Sequence, residues 1–185
     1  MSMTARRPAR RYDVVAIAFH WTVAAAILLA LPVGFLAAHA PDHRQAALLL
    51  RAHIPLGVLI LVLTVARAIW RYRHAPPPLS SGQPRWQAGL ARISHALLYA
   101  VPIVLCASGI ALLALSGAAP IVFAGVQPVL PDFSRFPPMA VHALAAFILI
   151  GLIGVHGGAV AYHQFYRRDR LLARMGIGSP ASLSS

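Results

Sequence analysis

From Met139 to Tyr162 the chain carries no Asp, Glu, Lys or Arg. An apolar run of about 20 residues matches the roughly 30 Å hydrocarbon core of a bilayer. Three more runs have the same character: Val14 to Ala38, Ile54 to Trp70 and Ile93 to Leu115. The second is the shortest and contains Arg67. An open sheet edge cannot lie in lipid, so the runs are predicted to be helices. Only 11% of the 185 residues are charged, less than half the roughly 25% usual for soluble domains. The expected fold class is all-α, a four-transmembrane-helix bundle over residues 14–166, with tails at 1–13 and 167–185. The Arg-rich start before the first run has the polarity of a signal peptide. Three later spans, and His20 and Trp21 inside the run, favour an uncleaved first helix.

All sixteen basic residues are Arg. Thirteen fall in the N-terminal tail, the second loop region and the C-terminal tail; Arg44, Arg51 and Arg135 alone fall in the first and third loops. The positive-inside rule then places both termini in the cytoplasm. The arginines border membrane spans, which suits lipid headgroups and makes nucleic acid a poor reading as the partner.

The second loop has a proline run and a Ser/Gly hinge, the third is unusually apolar and either caps a site or packs in the interface, and the tail from Gly176 reads as disordered. Pro55 is expected near a helix start; Pro32 and Pro102 are expected to kink their helices. A single cysteine, Cys106, permits no intrachain disulfide, and there is no Cys-x-x-Cys-His site for covalent haem attachment.

Nine histidines occur, and depth separates them. His39, His43 and His74 fall in loops. His95 and His163 lie near the cytoplasmic ends of the third and fourth spans. His20, His53, His142 and His156 lie deeper. Fourteen residues separate His142 from His156, a rise of roughly 21 Å and a rotation about 40° short of four turns. The two share a face at two levels. By topology His53 can meet His142 at the outer level and His20 can meet His156 at the inner one. Two facing imidazoles per level suit the axial positions of a haem. They are too few for a tetrahedral zinc site, and no carboxylate lies within a span. Met139 and His43 stay open as outer ligands, and His95 is the rival at the inner level. The same spacing carries His20 to Gly34 and His53 to Arg67. Gly34 would leave room for the outer porphyrin or serve helix packing. Arg67 would pair with a propionate or snorkel to headgroups.

At these residues the chain resembles the bacterial cytochrome b561 family of small di-haem membrane proteins. The matching pieces are "YDVVAIAFHW", "RAHIPLGVLILVLTVAR", "ARISHALLYAVPIVLCASG" and "HALAAFILIGLIGVHGGAVAYHQFYRRD", within residues 10 to 175. The resemblance implies two non-covalent b haems in a bacterial inner membrane, one on His20 and His156 and one on His53 and His142. It implies electron exchange with the quinone pool, with ubiquinone as substrate. Some members pass electrons from periplasmic superoxide to ubiquinone, and the chain's length suits that group. The alternative is an electron-transfer anchor for a separate dehydrogenase or hydrogenase, a redox partner protein. Arg44, Arg51 and Arg135 could steer superoxide, and the quinone is expected in the cytoplasmic half near His95, Arg67 and His163.

Overall fold

The structure, a computed structural model, describes residues 11–74, 84–125, 129–168 and 171–178. The elements are α1 (Val14–Ala38), α2 (His43–Arg73), α3 (Arg85–Ser116), a short α4 (Ala118–Ala124), a 3-10 turn (Phe133–Arg135), α5 (Pro137–Ala161) running into a π-turn (Tyr162–Tyr166), and a one-turn α6 (Leu171–Arg174). Four helices are long and apolar enough to cross a membrane, and no strand occurs among the described residues. The chain is a multi-pass all-α membrane protein. The end bearing both described termini is called the near end below, and the opposite end the far end.

Local chemistry explains the boundaries. Asp13 caps α1 by accepting the Ala16 N–H at 2.9 Å, and Asp42 caps α2 through Gln45 N–H at 2.8 Å. Gly117 ends α3 with φ 63°, a conformation that suits glycine. Pro137 opens α5, where its missing N–H costs nothing.

Two helices start earlier than hydropathy predicts. α2 begins at His43 rather than Ile54, and α3 at Arg85 rather than Ile93. Arg44 and Arg51 depress the hydropathy of α2's first turns, while Gln45 to Leu50 are sound helix formers behind a good cap. The first connection therefore shrinks to 39–42, and Pro55 sits inside α2 rather than near its start. α1 and α3 run through Pro32 and Pro102 without interruption. The proline run and Ser/Gly hinge of the second loop fall in 75–83, outside the described residues.

Where it is described, the apolar third loop is folded. Ala118, Val122 and Leu130 form a small buried cluster against Ala46, Leu50 and Ile54 of α2. The Arg51 Nε–H donates to the Val122 carbonyl, one of the carbonyls a helix C-terminus leaves unpaired.

α1 packs chiefly on α2, and α3 on α5, with α2 against α3 between them. Backbone approach between α1 and α5 is sparse among the described residues. The bundle is thus two helix pairs with a seam between them. The main core, with Val23, Ile27, Ile60, Cys106 and Leu149, lies midway along the bundle.

At the near end the chain closes on itself. Tyr12 N–H donates to the Arg174 carbonyl at 3.1 Å. Arg11 donates to the carbonyls of Ala173 at 3.0 Å and Gly178 at 2.7 Å, and the Trp21 indole to Met175 at 2.9 Å. Gly176 to Gly178, read from sequence as the start of a disordered tail, belong to this clasp; 179–185 lie outside the described residues.

Candidate functional site

Across the seam the structure brings histidines together at two levels. At the far level His53 of α2 faces His142 of α5, ring centres 6.1 Å apart. At the near level His20 of α1 faces His156 of α5 at 6.3 Å. Imidazole–metal bonds of about 2 Å on both sides of one ion set the ring centres roughly 6 Å apart. All four rings are half-buried.

The far-level rings are held in one tautomer. His53 Nδ1 lies 3.0 Å from the Ala30 carbonyl, and His142 Nδ1 3.0 Å from the Leu105 carbonyl. A carbonyl only accepts, so each Nδ1 carries the proton and each Nε2 presents a lone pair. That is the arrangement metal-binding histidines usually show. Ser108 adds a contact to His142 Nδ1 at 3.2 Å while donating to the Leu105 carbonyl at 2.8 Å.

The near level differs. A third ring, His95 of α3, stands 5.6 Å from His156. Arg67 does not snorkel outward: its Nη2 donates to His20 Nδ1 at 3.0 Å, and its guanidinium lies 5.1 Å over the Tyr99 ring. A neutral His20 accepting at Nδ1 has its own proton on Nε2.

Gly34 lies against the His53 ring rather than open space: a Cβ there would fall 2.6 Å from His53 Cε1. Gly57, Gly151, Gly154, Gly157 and Gly158 behave oppositely. A Cβ on any of them would meet nothing within 4 Å. His163 sits in the π-turn, its ring edge-on to Tyr162. His39 and His74 are helix C-caps, stacked on Phe35 and Trp70. His43 opens α2 and accepts the Leu130 N–H at 3.3 Å, so it serves the far-end loop. Met139 lies in the first turn of α5, one turn before His142.

Two clefts flank the seam. One of ≈ 350 Å³ at the near end is lined by Arg71, Tyr72, Arg92, His95 and Tyr99 with Ala68 and Ala96. One of ≈ 370 Å³ at the far end lies between α2 and α4, with His43, Arg44 and Arg51 on its wall. Among the described residues no group of three or more His, Cys, Asp or Glu gathers to hold a bare metal ion. Paired, Nε2-presenting imidazoles across a seam fit a planar cofactor with two axial positions; at the far level the donor set is ready, and at the near level it requires Arg67 to release Nδ1.

Sequence reasoning missed Ser108, Gly109, Tyr99, Trp21 and the carbonyls of Ala30 and Leu105. The adjacent small residues Ser108 and Gly109 in a Leu-rich run were the available signal.

A family model described as prokaryotic cytochrome b561 matches residues 11–178. The chain is 28% identical over 169 residues to "Cytochrome b561 homolog 1" of Escherichia coli (strain K12), covering 89% of this chain and 96% of that protein. It is 29% identical over 169 residues to "Probable superoxide oxidase CybB" of Yersinia pestis, covering 90% and 96%. "Cytochrome b561 homolog 2" of E. coli is 29% identical over 182 residues, covering 93% and 94%.

Proposed function

The chain belongs to the prokaryotic cytochrome b561 family, and on that premise we propose that it is a di-haem, quinone-linked oxidoreductase that takes electrons from superoxide and delivers them to ubiquinone. Membership carries b-type haem binding and a membrane setting. The further reading is that His53 with His142, and His20 with His156, would hold two haems, with the near end cytoplasmic. It rests above all on the two facing imidazole pairs, each bridging the two halves of the bundle. The name of the Yersinia relative supports superoxide as donor.

A b haem supplies one-electron chemistry when bound, its iron alternating between ferric and ferrous states. The chain's own residues do the rest. The far-level histidines hold their Nδ1 protons on backbone carbonyls and keep Nε2 available. At the near level a haem propionate is a better partner for Arg67 than an imidazole, since a charged bidentate pair is stronger. Arg67's move to it would free His20. The arginines around the far-end cleft attract a small anion. The near-end cleft offers His95, with Arg71 and Arg92, to a quinone headgroup; His163, also expected near the quinone, lines the π-turn rather than this cleft. Two superoxide ions lose one electron each to become dioxygen, and those electrons with two protons convert ubiquinone to ubiquinol. Lipid surrounds the bundle.

The test is purified, haem-replete protein in detergent supplied with a superoxide generator and a soluble ubiquinone. Quinone reduction that superoxide dismutase abolishes is the expected result. Reduction only when a partner dehydrogenase is added would replace this reading with that of an electron-transfer anchor. Absence of b-type bands in the reduced-minus-oxidised spectrum would remove both.

A further inference from the structure

The two far-level histidines are seated by one device used twice. His53 bonds the carbonyl of Ala30, and four residues on stands Gly34; His142 bonds the carbonyl of Leu105, and four residues on stands Gly109. In a helix the carbonyl of residue i already accepts the N–H of residue i+4. Its second lone pair is reachable only from the side. The side chain of residue i+4 leans back over the preceding turn, across that approach. A residue without a side chain at i+4 uncovers it.

The distances agree. A Cβ on Gly34 would stand 2.6 Å from His53 Cε1 and 3.0 Å from Nδ1. A Cβ on Gly109 would stand 3.1 Å from His142 Cε1 and 3.3 Å from Nδ1. Neither glycine has a positive φ, so backbone freedom does not explain it. Glycine is a poor helix residue, yet each stands inside a long helix against a histidine. Gly57, Gly89, Gly151 and Gly154 would each accept a Cβ with nothing within 4 Å.

We infer that Gly34 and Gly109 are positioning residues: each opens a notch that lets a neighbouring helix's histidine donate from Nδ1 to a backbone carbonyl, which fixes the ring's tautomer and aims Nε2 across the seam. The inference rests on the haem reading for its consequence but not for its geometry. Alanine at position 34 pushes the His53 ring off the Ala30 carbonyl, because the ring end yields more readily than two packed helices; alanine at position 109 lengthens the His142–Leu105 bond by a smaller displacement. The bond that sets the ring's orientation and its Nδ1 proton is then weakened or lost.

The experiment uses full-length, haem-loaded protein with Gly34→Ala, Gly109→Ala and, as control, Gly89→Ala. Reduced-minus-oxidised spectra, low-spin electron paramagnetic resonance and redox titration are recorded. Gly34→Ala and Gly109→Ala should each move or abolish the signal of one and the same haem and leave the other in place. Gly89→Ala should match the wild type. Thermal melting of Gly34→Ala is also compared in the wild-type and His53→Ala backgrounds. A notch for the imidazole predicts a loss of melting temperature that disappears once the ring is gone. Equal losses in both backgrounds, or wild-type spectra in both alanine variants, would overturn the inference. If the wild-type chain shows no b-type bands, the haem reading fails on that spectrum alone, while the melting comparison still decides the notch.

Discussion

Arg67 on α2 donates to Nδ1 of His20 on α1 at 3.0 Å, tying a permanent positive charge to one member of the near-level pair. Among the described residues no such cation bonds the far-level rings; carbonyls of α1 and α3 hold them instead. The two levels therefore present one donor chemistry in two electrostatic settings. A cation beside a redox centre favours its reduced form, because reduction removes a positive charge.

Replacing Arg67 by Ala is expected to lower the midpoint potential of the near-level haem on the order of 50 mV, roughly a tenfold change in a one-electron equilibrium. The far-level potential should stay within error. Arg67→Lys keeps the charge but loses the fork, and should fall between. Spectroelectrochemical titration with two resolved components measures this.

His142→Ala and His156→Ala should remove different haems. Each variant is expected to keep one b-type component with a near-wild-type spectrum, because the levels lie about 21 Å apart along α5. Identical residual spectra from both variants would contradict the pairing. His95→Ala, by contrast, should retain both components and slow quinone reduction.

These pairings were legible in the sequence because helical rise and rotation fix depth and face before any neighbour is known. The meeting of His20 with His156 and of His53 with His142 needed only topology and the spacing of fourteen. What was illegible depended on the third dimension. Nothing in the string says that Ala30 and Leu105 lend carbonyls, nor that the neighbour of Gly34 is an imidazole. The early starts of α2 and α3 were hidden for another reason. Hydropathy reports where lipid is, and arginine-bearing turns continue a helix beyond it.

Asp13 should give the near end an acid-sensitive joint. Its carboxylate accepts from Ala16 N–H at 2.9 Å and from the Trp70 indole at 3.1 Å, linking the start of α1 to the end of α2. The Ala16 N–H foremost, against a small opposing effect of burial, holds its pKa below the usual carboxylate value. A depressed folded pKa adds stability that is complete above the unfolded value, about 4, and is lost as pH falls through the folded one. Melting curves of wild type and Asp13→Asn should therefore diverge least below about pH 4. Asn caps helices well without titrating, so that variant should lack this component of the acid response.

Trp21→Phe should loosen the clasp by removing the Trp21–Met175 hydrogen bond while keeping most of the ring. A single such bond contributes about 1 kcal/mol, so the global melting temperature should drop by only a few degrees. Proteolysis within 171–178 is the sensitive readout and should accelerate about fivefold if cleavage follows opening. Unchanged cleavage would mean that Arg11 and Tyr12 hold the clasp without it.

The clasp also bears on how the protein is made. Its bonds join partners 154 to 167 positions apart in the chain. At roughly 5–20 residues per second, a ribosome needs on the order of ten seconds or more to reach the C-terminal partners. All four long helices have been synthesised by then. Until that moment Arg11 and Trp21 have nothing to hold, and the near end of α1 is free to swing away from α5. The seam itself is complete only once α5 has been made, and the clasp partners Ala173, Met175 and Gly178 follow shortly after Ala161, so a large planar molecule has roughly a few seconds of translation to enter from that end before the clasp can form. Closure of the near end therefore waits on α6 and the residues just after it.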